Sequence, residues 1–336
     1  MAGKRAMAVR LIPLFGFALV VLSGTASAQQ QAFARGEEQQ LHYVWKHDTA
    51  STQAFTLILP AQTALPVWTA WHSAQAESAV FQQLIRNAQE QFPEVSFRVR
   101  KTADGTTIDY QAADQQRLQQ AGSWLAQQQK ALFNTYLEQH YYKRHGDDNS
   151  HLIRPDHVRI AADSSAELLE LARTLQRVIV SSASAEQKQR YQNDERLLVV
   201  AGLLNFVQSI PYDPLVSADG QRGITFLMPE QVLVQNRGDC DSKSVLMMTL
   251  LTALYPDLPQ AIVYVPDHAL LAVALPRQTG NEEMIRINGK AFLPLEVAGP
   301  AEIPPGVTGE KSRLSIRNNQ YQYDLLQLAE INSTPN

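Results

Sequence analysis

Two residues 28 positions apart define the first chemistry to consider. Cys240 is the one cysteine in 336 residues, and His268 opens the run HALLAVAL. Cys240 sits in the turn NRGDCD (236–241). It leads into residues 242–254, where apolar positions 245–248, 250, 251 and 254 cover most of a helix's circumference. A helix apolar nearly all round is a buried one. The start of such a helix offers unpaired amide donors and a partial positive charge. Both favour thiolate, the nucleophilic form of cysteine. The same amides can hold the oxyanion of a tetrahedral intermediate. Gly238 is expected to let the backbone turn tightly before the nucleophile. Asp239 and Asp241 oppose activation, because negative neighbours raise a thiol pKa. They must point away or be capped, and Asp241 can simply stabilise the helix start.

Taken singly, each residue has an ordinary explanation. A buried cysteine behaves as a small hydrophobe, and a histidine at a strand start commonly makes a structural hydrogen bond. A cysteine at a helix start followed by a histidine at a strand start is instead the layout of a thiol and its base. A metal site fits less well, since no CxxC or HxxxH spacing is present. The chemistry calls for no cofactor.

The elements that must position these residues are readable nearby. Residues 261–265 (AIVYV) form an expected strand, and Pro266-Asp267 breaks it. Alternation then places His268, Leu270, Ala272 and Ala274 on one face. Residues 284–287 and 290–297 flank Asn288-Gly289, a two-residue hairpin signal. Earlier in the chain, strands are expected at 41–46 and 54–59, a helix at 78–92 and a hairpin of 95–99 with 106–110. A long Gln- and Ala-rich helix is expected over 113–142 and a short strand over 158–161. A helix capped by Ser164 or Ser165 then runs to about 180, and another from 185 to 210 ends at Pro211. Residues 29–40 read as a polar, flexible start. The fold class is α+β. Residues 29–180 are expected to form an N-terminal α+β domain of unassigned role, and 181–336 the domain carrying Cys240 and His268. No repeat of 20 to 50 residues marks a solenoid.

The first 28 residues read as a secretory signal peptide. Lys4, Arg5 and Arg10 precede the apolar run 11–22, and Ala26-Ser27-Ala28 supplies a cleavage site. The run is shorter than the ~20 residues a spanning helix needs. A periplasmic or secreted location follows as an expectation. Removing the three basic residues takes the net charge from −4 to −7. No basic patch remains for a phosphate backbone, which excludes nucleic acid as an expected partner. No other apolar stretch is long enough for a transmembrane segment. Exported cysteines usually pair as disulfides. A lone one is either inert or kept for its reactivity.

The run PEQVLVQNRGDCDSKSVLMMTLL (229–251), followed by HALLAVAL, resembles the core of the transglutaminase-like superfamily, including its bacterial periplasmic cysteine proteinases. The similarity covers roughly residues 200–298. It implies a papain-like core in which a buried Cys helix packs on an antiparallel sheet. It also implies acyl transfer through a Cys240 thioester, with His268 as base. A polar oxyanion helper upstream of the cysteine is implied at Gln208 in LLNFVQSIPYDP, with Tyr212 and Asp213 shaping the cleft. The family's third triad member is an Asp after the His strand. Here the matching position holds Glu296, a departure that keeps a carboxylate.

Strand geometry offers a rival to Glu296. If residues 284–287 pair with the His268 strand, Asn288 lies beside the histidine, and an Asn can orient a His. Asn-Gly is also what a type I′ turn demands for backbone reasons alone. Phe292, Pro294 and Glu296 share a face, and a carboxylate beside two apolar residues needs a partner. Glu296 is therefore preferred. The expected activity is hydrolysis of an amide or peptide bond in a protein, peptide or cell-wall substrate. Delivery of the acyl group to an amine, as in a transglutaminase, is the alternative. A catalytically silent binding module on the same fold is a third reading.

Overall fold

Alternating burial organises the first strands. A computed structural model describes residues 30–35, 40–47, 51–58, 71–102, 105–145, 152–215, 226–276, 280 and 282–326. The signal peptide expected over 1–28 lies outside them. Strands β1 (Gln30–Arg35), β2 (Gln40–His47) and β3 (Ser51–Ile58) form an antiparallel sheet in that order. The stretch 29–40, expected to be a flexible start, thus includes a strand, with Phe33 opposite Tyr43. On β2, Leu41, Tyr43 and Trp45 are buried at every second position, the period of a strand with one face on a core.

Helix α1 (Ser73–Gln91), the hairpin of β4 (Ser96–Thr102) and β5 (Gly105–Gln111), and helix α2 (Gln115–Gln139) follow as expected. Asp114 caps α2 by accepting from the Gln116 amide. These elements bury Leu84, Ala88 and Leu125 against Phe97, Ile108 and Trp124 in a small core of their own. Next come the short pair β6 (Tyr142–Arg144) and β7 (Ile153–Pro155), then helices α3 (His157–Ser164), α4 (Leu169–Ser182), α5 (Ala185–Arg190) and α6 (Glu195–Ser209). The strand expected at 158–161 is part of α3. Asp156 caps that helix, and His157, Ile160, Ala161 and Ser164 are buried at helical spacing. A four-residue stretch with three apolar positions is too short to distinguish the two periods. The helix expected over 185–210 is two helices. Gln192 and Asn193 take left-handed conformations between them, and Asp194 caps the second.

The remainder comprises α7 (Pro229–Gln235), α8 (Cys240–Leu254), β8 (Gln260–Val265), β9 (His268–Val273), β10 (Ile285–Ile287), β11 (Lys290–Leu295), α9 (Glu310–Arg317) and β12 (Gln322–Leu325). The strands run β10-β11-β9-β8-β12, and all neighbours are antiparallel. The described residues therefore combine helices with antiparallel sheet, an α+β architecture. Both faces of this sheet are covered. Ile262, Ala269, Leu271, Val273, Leu293 and Leu295 join the core that holds α8. Ala261, Val263, Leu270, Ala272 and Phe292 lie on the other face with Ile316 of α9. Two covered faces explain why HALLAV is continuously apolar rather than alternating with polar residues.

One core runs through Tyr43 and Trp45 of β2, Ile160 of α3, Leu171 and Leu175 of α4, Phe206 of α6 and Leu246 of α8. Aromatic edges join its parts, with Tyr43 and Trp45 both against Phe206 at ring centroids 5.3 and 5.1 Å away. No described helix is long and apolar enough to cross a membrane.

Candidate active site

Helix α8 starts where the sequence demands a start. Asn236 ends α7 in the left-handed conformation, and Asp239 caps α8 by accepting from the Ser242 amide at 2.9 Å. Cys240 is the first residue of that helix. The turn is pinned from outside. The Gly238 amide donates to the Pro211 carbonyl at 3.3 Å, and the Asp213 amide donates to the Gly238 carbonyl at 3.1 Å. Arg237 closes on Asp213 at 2.6 Å. The Leu215 amide and this guanidinium together hold the Asp213 carboxyl below its ordinary range. Tyr212 and Asp213 thus lie beside the cysteine turn. Gly238 has no left-handed backbone. A methyl there would come within 3.2 Å of the Lys243 side chain and 3.5 Å of Ser242 and Val232. The glycine makes room for packing rather than for a strained turn.

Pro266-Asp267 turns β8 into β9, and His268 begins the second strand opposite Val265. The β11 strand lies next to β9, with Leu295 opposite Leu271. Continuing that register by one residue sets Glu296 opposite Leu270, which shares a face with His268. The Glu296 carboxylate meets His268 Nε2 in a short hydrogen bond. Ser312 Oγ and the Gly309 amide donate to the other carboxylate oxygen at 3.3 and 3.5 Å. Glu296 is 7 % exposed and His268 24 %. Burial lowers the imidazole's proton affinity, but the Glu296 contact and the nearby Asp241 outweigh it and raise the His268 pKa.

Asn288 is elsewhere. Its strand, β10, is separated from β9 by β11. Asn288 occupies the left-handed turn position and accepts a 2.9 Å hydrogen bond from the Tyr323 hydroxyl. The condition under which it would neighbour His268, pairing of β10 with β9, is not met.

The backbone amide of Ala269, the residue after His268, favours the Cys240 thiolate. The thiol's hydrogen-bond acceptor is Asp241 Oδ1 at 3.7 Å. Among the described residues no hydrogen bond joins Cys240 to His268. The helix start was expected to depress the thiol pKa, and the opposite holds. Burial raises it well above the ordinary thiol value, and Asp241 and then Asp239 add to the rise. Asp241 is itself pushed up to about 6 by burial and by Asp239. The amide donors of a helix end act over one turn; here a desolvated sulfur and two adjacent carboxyls exceed them.

Gln208 is not free to serve as an oxyanion donor. Its Nε2 donates to the Glu296 carbonyl and to the Ile303 carbonyl, each at 2.8 Å. A side-chain amide has two N–H bonds, so both are used. The donors left near the thiol belong to the backbone of α8. The Ser242 and Lys243 amides bond Asp239, and among the described residues no capping bond takes those of Cys240 and Asp241.

Lys243 did not figure among the candidate residues, although it is a cation in an otherwise apolar helix. It is fully buried. Its Nζ donates to the Ile210 carbonyl at 2.7 Å and the Ala298 carbonyl at 2.5 Å. Behind Asp241 lies a second polar group. Arg154 bonds Asp324 and the Tyr264 hydroxyl, each at 2.6 Å, and His157 Nδ1 meets the same hydroxyl at 2.9 Å. Beyond His268 and Glu296, a cavity of about 650 Å³ opens between residues 298–303 and α9. No three His, Cys, Asp or Glu side chains among the described residues are gathered as a metal site. Compared with protein-family models, curated proteins and solved structures, the chain gives no match.

Proposed function

We propose that this protein is a cysteine-dependent acyl-transfer enzyme with a papain-like, transglutaminase-like core, hydrolysing amide or peptide bonds through a Cys240 thioester. One observation carries the reading. A carboxylate-held imidazole, His268 with Glu296, stands at the head of β9, and the next backbone amide, that of Ala269, acts on the Cys240 thiol in the direction of thiolate. With Nε2 engaged by Glu296, Nδ1 is the nitrogen left to take the thiol proton. Sulfur attacks the carbonyl carbon, and the proton moves to His268. The C–N bond then breaks as the same proton passes to the leaving amine. Water, deprotonated by His268, cleaves the thioester and returns the thiol. Glu296 stabilises the imidazolium in both halves. The backbone amides of Cys240 and Asp241 are the natural oxyanion donors. The substrate in this reading is a protein, a peptide or cell-wall material, and an exported location fits such substrates.

A second reading has its own support. The thiol is held protonated by burial and by Asp241, the condition of an inert cysteine in a binding module. The decisive experiment incubates the mature protein with fluorogenic peptide amides and peptidoglycan fragments, with and without a dansyl-labelled primary amine. Wild-type protein is expected to release the amine and to show an acyl adduct on Cys240 by mass spectrometry. Cys240→Ser and His268→Ala should each lose activity about as completely as the double variant, as members of one unit do. Label incorporation would make the acceptor an amine. Full turnover by folded Cys240→Ser would end the enzyme reading as stated.

A further inference from the structure

Residues 296–303 form a strap outside the named helices and strands, with a bridge residue at Ala301, running from the Glu296 carboxylate along the side of α6. Its backbone is held at three carbonyls by two side chains from different helices. Gln208 of α6 takes the carbonyls of Glu296 and Ile303. Lys243 of α8 takes that of Ala298 and ties it to Ile210 at the end of α6. Asn205, one turn before Gln208, adds a 2.7 Å bond to the Glu302 carboxylate. Both principal anchors are fully buried. The strap also passes too close for a side chain at its middle. Gly299 has φ +64, and a methyl there would press into the Gln208 backbone carbonyl.

Lys243 has a neighbourhood unlike that of a structural ion-pair lysine. Among the described residues no carboxylate pairs with it, and burial pushes its pKa down to about 7. A neutral amine keeps two N–H bonds, enough for both carbonyls, so the clamp works in either protonation state. Lys243 is also one turn from Cys240 on the same helix. A single buried side chain thus connects the cysteine helix to the carbonyl two residues beyond Glu296.

We propose that Lys243 and Gln208 are positioning residues, which together fix the strap so that Glu296 stays on His268 at a set distance from the Cys240 helix. Their role concerns the Glu296–His268 contact, and only its catalytic meaning rests on the acyl-transfer reading. Loosening the strap then weakens the contact that raises the His268 pKa. The other charge acting on the imidazole, Asp241, is on α8 and is not held by the strap.

The test is an NMR titration of the His268 ring in the mature, full-length protein, with the signal assigned by loss in His268→Gln. Lys243→Met should lower the midpoint toward the ordinary ~6.5, and Glu296→Gln should lower it at least as far. The double variant should fall no further than Glu296→Gln alone, because both act through one contact. A purely structural lysine would change melting temperature and leave the midpoint in place. A wild-type midpoint in folded Lys243→Met, or additive shifts in the double variant, overturns the proposal. Should Lys243→Met not fold, Gly299→Ala displaces the same strap and carries the same expectation and the same overturning result. A lowered midpoint in a protein without amide turnover supports the positioning role while removing the proposed reaction.

Discussion

The Cys240 thiol is the clearest case of two residue-level effects in competition. The helix terminus stabilises negative charge by at most about 2 kcal/mol in favourable geometry. Desolvation and the flanking Asp241 and Asp239 act the other way and prevail. Asp241 accepts from the sulfur and, with its pKa at about 6, is ionised at neutral pH. Asp241→Asn should therefore lower the thiol pKa. Iodoacetamide alkylation of Cys240 at pH 8 is expected to speed up about threefold for each unit the pKa falls, because the thiolate fraction rises while its nucleophilicity declines. An unchanged rate would assign the protonated thiol to burial alone. Asp239→Asn is a useful companion, because asparagine remains a good N-cap while removing the second charge.

At the scale of the element, α8 contains a cation where its neighbours are apolar, and this leaves a pH signature. Burial takes the Lys243 pKa from an ordinary 10.5 to about 7 in the folded chain. Between those values the unfolded chain binds more protons than the native one, so stability rises with pH from about 7 and the penalty is present in full below it. At ~1.36 kcal/mol per pKa unit the total is on the order of a few kcal/mol. Above about pH 9 the Cys240 thiol, raised in the folded state from 9.0, takes stability away again. The window for Lys243 is thus pH 7 to 9. Urea unfolding at pH 7, 8 and 9 should show wild type gaining on Lys243→Met as pH rises. Parallel curves would mean that the ammonium is tolerated where it sits.

Across the whole molecule, the distribution of cores predicts two levels of cooperativity. Trp45 belongs to the core that contains α6 and α8, so a truncation there should be felt at the candidate site. Trp45→Ala is expected to destabilise by ~3–5 kcal/mol and to raise amide exchange in α8. Leu84 belongs to the separate small core between α1 and α2. Leu84→Ala should raise exchange in residues 73–139 and leave α8 protected, as local opening does. Hydrogen exchange by mass spectrometry reads both. Equal loss of protection everywhere after Leu84→Ala would make the chain one cooperative unit.

What the sequence determined by itself is local. The Gly-containing turn and the all-round apolar run after it put Cys240 at the start of a buried helix. Pro266-Asp267 makes the turn that sets His268 at the head of β9. Asn288-Gly289 forms a turn for the backbone reasons readable from the dipeptide. Each rests on interactions within a few residues, and such interactions are written in spacing. The tertiary structure decided the rest. That β11 and not β10 neighbours β9 brings Glu296 rather than Asn288 to His268; strand order depends on pairings that no local pattern encodes. The donors of Gln208 went to carbonyls 88 and 95 residues away, so a side chain well placed for catalysis by its sequence position became an anchor. Strand β2 and helices α3, α4, α6 and α8 share one core, and no local pattern names partners so far apart in the sequence. The protonation of Cys240 also belongs to this level. Desolvation sums over everything packed around a group, and a sequence names those neighbours only once the chain has folded.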